Sequence, residues 1–242
     1  MEVSCTAAVT DDGRRFVRLF PIPYRFLSED KRFRKYQWIE VDVTPASDGR
    51  PESFKIRGES IQIVSEPLST ANHWQARKEY VLPLASPSLC QLKRERDANS
   101  CPTLGVFRPK SIRRLVIETA EAQWTPPQLA MLRQMDLFAK TPTEELEKIP
   151  FKFKYQFSCN DPECAGHTLS CTDWELGQSW RSWRDKYGPD NWEPQFRAKY
   201  ERDMIEKFDT YFYVGTVHQH PAGWIIIGIF YPGKSPQAAL FY

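Results

Sequence analysis

A period of two dominates the first part of the chain. Residues 15–27 set Phe16, Arg18 and Phe20 against Val17 and Leu19, predicting a strand that Pro21 and Pro23 confine to an edge or bring to an end. In residues 37–43, Trp38, Val41 and Val43 interleave with Glu40 and Asp42, the mark of a half-buried strand. A polar turn over 45–51, with Asp48-Gly49 in it, separates this from a third strand over 53–64. Helices follow at 69–82 and 86–98, the second with Ser86 as N-cap and Pro87 at its first position. Strands at 103–108 and 112–119 come next. Thr125-Pro126-Pro127-Gln128 then carries a cap, a first-turn proline and the closing residue of a capping box, for a helix running to about residue 139.

The alternation is sharpest over residues 151–157. Phe151, Phe153, Tyr155 and Phe157 fall on one face, and Lys152, Lys154 and Gln156 on the other, so the strand has an oily side and a basic side. Residues 168–170 have the length to return as its antiparallel partner. Thr172 and Glu175 make a second capping box for a helix to about residue 187, another helix spans about 193–208, and strands at 210–217 and 224–230 close the chain. These elements predict an α+β fold. A mostly antiparallel N-terminal sheet with inserted helices (residues 1–140) precedes a C-terminal unit (141–242) in which Cys159, Cys164, His167 and Cys171 imply a zinc-pinned β-hairpin that packs with helices, and which ends in a second hairpin.

Cysteine changes this picture most. Between the oily strand and its return lies Cys-Asn-Asp-Pro-Glu-Cys-Ala-Gly-His-Thr-Leu-Ser-Cys, which places Cys159, Cys164, His167 and Cys171 in thirteen residues. Three thiolates and one imidazole are the donors that close a tetrahedral shell around Zn2+, and four protein ligands leave no open position, so the expected role is structural. Asp161-Pro162 and Ala165-Gly166 supply the bends. The spacing C-x4-C-x2-H-x3-C resembles the retroviral-type zinc knuckle, C-x2-C-x4-H-x4-C, yet departs from it in every interval, and no RNA specificity is carried over. Cys5, Cys90 and Cys101 remain, an odd number that makes no disulfide framework and points to a reducing, cytoplasmic setting.

With 242 residues, 41% of them apolar, the chain has material for a real core, and no run of eighteen apolar residues suggests a membrane span. Its net charge is only +2, but residues 14–35 carry eight cations against Glu29 and Asp30. Cations interleaved with aromatics suit a surface that tracks phosphates and stacks bases. The expected partner is therefore nucleic acid, DNA or RNA, contacted by Arg14, Arg15, Arg18, Arg25, Arg32, Lys35, Lys152 and Lys154, with Arg108, Lys110, Arg113 and Arg114 as a second basic cluster.

Two other functions compete. A metal-dependent hydrolase or nuclease would use His218 and His220, which share a face if the strand before them continues through both, with Asp173 or Glu175 beside the metal; the phosphate-loop, nucleophile-elbow, dinucleotide-binding and H-E-x-x-H motifs are all absent. A protein-interaction adaptor would instead expose some of Trp174, Trp180, Trp183 and Trp192, although Trp180 and Trp183 share a helical face with Leu176, as core residues do.

Overall fold

The structure, a computed structural model, describes residues 4–13, 15–133, 146–218 and 220–234. In chain order its elements are β1 (Ser4–Val9), β2 (Phe16–Ile22), β3 (Ile39–Glu40), β4 (Val43–Pro45), β5 (Ser53–Ile56), β6 (Gln62–Ile63), α1 (Ala71–Val81), β7 (Ala85–Ser86), α2 (Leu89–Asn99), β8 (Leu104–Phe107), β9 (Ser111–Thr119) and α3 (Pro126–Arg133). They continue with β10 (Phe151–Ser158), β11 (His167–Cys171), α4 (Trp174–Tyr187), α5 (Glu193–Arg197), α6 (Met204–Glu206), β12 (Tyr211–Val217) and β13 (His220–Phe230). The class is α+β. Among the described residues no helix is long and apolar enough to cross a membrane.

The chain divides into two compact units, one of Met1–Ser69 with Ala120–Pro150, the other of Thr70–Thr119 with Phe151–Tyr242. The expected boundary at 140/141, the helix end near 139 and Arg14 all lie outside the described residues. Within the second unit, β7, β8 and β9 join the same sheet as β10–β13, so residues 85–119 pair with the C-terminal strands and not with the N-terminal ones.

In the first unit a four-stranded sheet runs β1-β2-β5-β4, antiparallel except for the β2–β5 pair. Leu19, Ile22, Leu27 and Ile61 form its core, with Tyr24, Phe33, Phe54 and Ile56 packed against them. The uninterrupted strand expected over 37–43 is split. Ile39 and Glu40 pair with β6 in a separate ladder, whereas Val43–Pro45 pair with β5. Between them the Asp42 backbone is held by Ser60 Oγ at 2.9 Å and by the Arg57 N–H at 3.1 Å, which turns the chain from one ladder to the other. The capping box of α3 is present, since the Thr125 N–H donates to Gln128 Oε1 at 3.0 Å.

The second unit is built on a seven-stranded sheet, β7-β8-β12-β13-β11-β10-β9, mixed because β7–β8 and β11–β13 are parallel. The alternation over 151–157 is realised in β10. Phe153, Tyr155 and Phe157 are buried while Lys152 stays exposed. Phe153 stacks on Phe196 with ring centroids 4.8 Å apart, and Phe157 meets Phe107 and Phe212 at 5.6 and 5.3 Å. Helix α4 is capped by Asp173, one residue later than the Thr172 box implies. The long helix expected over 193–208 is interrupted by a wider-turned stretch, Ala198–Asp203, between α5 and α6.

Candidate metal centre

Strands β10 and β11 form the antiparallel hairpin the sequence implies, with Phe157 opposite His167 at its closed end. The connecting loop folds on itself. The Cys164 N–H donates to the Asp161 carbonyl at 3.1 Å, the Cys159 N–H points at Cys164 Sγ at 3.1 Å, and Gly166 takes φ +90°, a conformation L side chains rarely adopt. This brings Cys159, Cys164 and His167 together.

The fourth donor comes from elsewhere in the chain. Cys90, in the first turn of α2, joins Cys159, Cys164 and His167, and one ligand atom from each lies within 4.8 Å of all the others. His167 Nε2 stands 3.3 Å from Cys90 Sγ and 3.4 Å from Cys164 Sγ. A tetrahedral zinc shell would set sulfur and nitrogen about 3.6 Å apart, so the group is already near the size of a metal cage. Cys159 is buried and the other three are half-buried.

Cys171, expected as a ligand, does not belong to this group. His167 and Cys171 are the two ends of β11, and four steps of extended strand separate them by about 13 Å. Cys171 is buried in the sheet, paired with Phe153 on one side and Ile226 on the other. Sequence reasoning set Cys90 aside because it stands 77 positions from His167 and has no spacing motif of its own. The one signal was the odd count of cysteines left over.

Charges around the loop fasten it to α2. Ser88, the α2 cap, accepts the Gln91 N–H at 2.9 Å and donates to Asp161 Oδ2 at 3.3 Å, and Arg94 Nη2 donates to the same oxygen at 2.6 Å. The Arg94 guanidinium beside Asp161 holds that carboxyl below the usual range. Burial, then the neighbouring Cys159, pushes the Cys90 thiol up to about 12. Burial raises Cys159 as well, against N–H groups of Cys90 and Leu89 that donate to its sulfur. At Cys164 burial, the largest influence, opposes ionisation, but the N–H groups of Cys159 and Gly166 and the two neighbouring thiols outweigh it and lower the pKa. Burial, followed by Lys93, lowers His167, which leaves the imidazole neutral and able to ligate at pH 7.

The other candidate residues are scattered. Asp173 is buried, accepting the Glu175 N–H at 2.9 Å and the Ile229 N–H at 2.8 Å, a cap that also ties α4 to β13. Glu175 accepts the Tyr231 hydroxyl at 3.0 Å. His218 and His220 are exposed where β12 meets β13. His220 lies nine residues from Ile229 along one strand, about 30 Å, so the histidines and the carboxylates do not converge. Arg18 is 3% exposed, on a strand paired on both sides, and donates to Ser53 Oγ at 2.9 Å, so it is an internal residue and not a phosphate contact. Arg15, Arg32 and Lys35 are exposed, and Arg25 is half-buried. Arg32 is engaged with the Leu27 and Arg25 carbonyls at 2.9 and 3.1 Å. Lys154 pairs with Glu118 at 2.7 Å, while Lys152 is exposed. Of the tryptophans, Trp180 and Trp192 are core residues and Trp174 is 56% exposed.

No curated protein and no solved structure matches the chain. Residues 1–83 match the family model described as Domain of unknown function (DUF8758). A second model takes in residues 85–242, and with them all four clustered donors, and the chain belongs to the family it describes, Domain of unknown function (DUF8757).

Proposed function

We propose that this is a nucleic-acid-binding protein built around a structural zinc centre, with Cys90, Cys159, Cys164 and His167 as the ligands. One observation carries the reading: the hairpin that supplies three of the four donors turns Lys152 and Lys154 away from its buried aromatic face. Three sulfurs and one nitrogen favour zinc over harder cations, and a shell filled by protein leaves no position for substrate, so the ion's work is to hold α2 on the hairpin tip. The three sulfur donors must remain reduced to ligate as thiolates, which suits the reducing cytoplasm. Lys152 and the other exposed cations of that face then meet phosphate oxygens, and affinity falls with salt as counterions are displaced.

Elemental analysis of the full chain, purified without chelators, tests the centre. One zinc per chain is expected, kept in Cys171→Ser and lost in Cys90→Ser. The reverse pattern, or a metal-free protein with native circular dichroism, overturns it. Titration of a labelled DNA duplex at increasing potassium chloride tests the partner, and an absence of binding at low salt removes nucleic acid from the reading.

A further inference from the structure

Strand β9 contains a bulge where the alternation of the sheet would otherwise bury an arginine. Gln156 pairs with Arg114, but the next residue, Phe157, pairs with Ile112, so Arg113 has no opposite number on β10. Ile112 and Leu115 both face the inner side, opposite Phe157 and Tyr155, and the two residues between them are left exposed. A bulge of this kind re-aims a side chain, here putting two guanidinium groups side by side in solvent.

Those arginines open a mostly polar surface. Arg114 is in line with Gln156 and Thr168 across β9, β10 and β11, and Lys154 lies between Ser170 on β11 and the half-buried Val116 on β9. Arg114 Nε donates to Gln156 Oε1 at 2.8 Å, which fixes the guanidinium plane and leaves its terminal amino groups for a phosphate. Glu118, directly opposite Lys152 in the register, is ion-paired with Lys154 at 2.7 Å. Arg113, Arg114 and Lys152 therefore give this face its positive excess. The register places Arg114 and Lys152 about 13 Å apart along the strands, a length of about four base-pair steps along the axis of a duplex.

We infer that the outer face of β9, β10 and β11, centred on the Arg113–Arg114 bulge, is a sequence-independent binding surface for the phosphate backbone of duplex nucleic acid. The inference rests on the nucleic-acid reading above and says which surface is used. Charge complementarity selects a polyanion. Among the described residues none of the large exposed apolar side chains, Phe20, Val43, Val64, Trp174 and Ile205, lies on these strands, and Val116 is half-buried, so these strands offer no exposed ring on which to stack an unpaired base and no wedge for a lipid bilayer. The metal loop sets one end of it, since Ser158, next to Cys159, bonds Ser111 Oγ at 2.8 Å and accepts the Lys110 N–H at 2.9 Å.

The test is fluorescence anisotropy of a labelled mixed-sequence 20-base-pair DNA duplex titrated with the full chain over a potassium chloride series. Three phosphate contacts predict a slope of log affinity against log salt of about −2.7. Arg113→Gln with Arg114→Gln should reduce its magnitude by about 1.8 and weaken binding at the lowest salt at least tenfold, whereas Arg113→Lys with Arg114→Lys retains the slope. Both positions are exposed, and an unchanged melting temperature shows that the fold is intact. Parent affinity and slope in the glutamine variant, with both lost in Arg15→Gln, Arg32→Gln, Lys35→Gln, overturn this surface and leave nucleic-acid binding standing. No binding by the parent overturns both readings. Equal binding to phosphatidylserine vesicles, lost in the same glutamine variant, replaces nucleic acid with a membrane.

Discussion

Helices α2 and α4 lie in the same unit as one seven-stranded sheet and are held by different means. In α4 and the helices after it, Leu176, Trp180, Phe196, Tyr200 and Met204 are buried, and Phe151 and Phe153 on β10 meet Trp192 and Phe196 at 4.9 and 4.8 Å. Side chains of that size each contribute several kcal/mol, about 3 to 5 by truncation, so area alone holds these helices. Helix α2 buries only Leu89 and Leu92, and its later turns read Lys-Arg-Glu-Arg-Asp-Ala-Asn. Two leucines contribute about 2–5 kcal/mol each on the same truncation scale, but there are only two of them, and a helix of eleven residues is below the length that stands alone in water. What α2 lacks in apolar area it makes up in donors, with Cys90 in the cluster and Ser88 and Arg94 on Asp161. A helix with a poor apolar face can be docked firmly if its first turn ligates an ion.

The largest test of this contrast is removal of the proposed zinc ion. A structural Cys3His zinc contributes about 10 kcal/mol or more, so chelation should expose the amides of α2 and of the 159–166 loop to rapid hydrogen exchange while those of α4 stay protected. Equal loss at both ends would show that the metal supports the whole unit. Phe196→Ala should cost about 3–5 kcal/mol in denaturant unfolding and leave the zinc content unchanged. Gly105→Ala attacks the α2 side, because a Cβ there would lie 2.7 Å from Leu92 Cδ1. Overpacking of about 1–3 kcal/mol, with faster exchange confined to α2, is the expected result. The smallest effect belongs to Ser88→Ala, which removes a cap and a bond to Asp161, about 1 kcal/mol by thermal melting.

Much of the second unit was legible in the chain because its signals are local. The period-two run of Phe151, Phe153, Tyr155 and Phe157 needs only the pleat to sort its faces, and Asp161-Pro162 and Gly166 mark the turns that close the loop. Capping was legible to within two residues: Ser88 serves where Ser86 was expected, and Asp173 where Thr172 was. The first shift exchanges one serine for another, and the second takes Asp173, a stronger cap than Thr172. The split at Val41–Asp42 was not legible, because an alternating stretch has the same pattern whether it serves one ladder or two. The burial of Arg18 was hidden for a like reason. Position on a strand gives the face, and only the neighbours on that face, here Ser53, decide whether water reaches it.

The sequence by itself determined the oily strand, the turn chemistry and three of the four clustered donors, since each depends on residues within a few positions of one another. The tertiary structure decided the fourth. An extended strand carries Cys171 away from His167, while the docking of α2 brings Cys90 across 77 positions to within 3.3 Å of the same imidazole. It also decided that two adjacent arginines share one exposed face, because a bulge exists only relative to the strand beside it. Ligand shells and sheet registers are relations between distant segments, fixed when the core closes and not before.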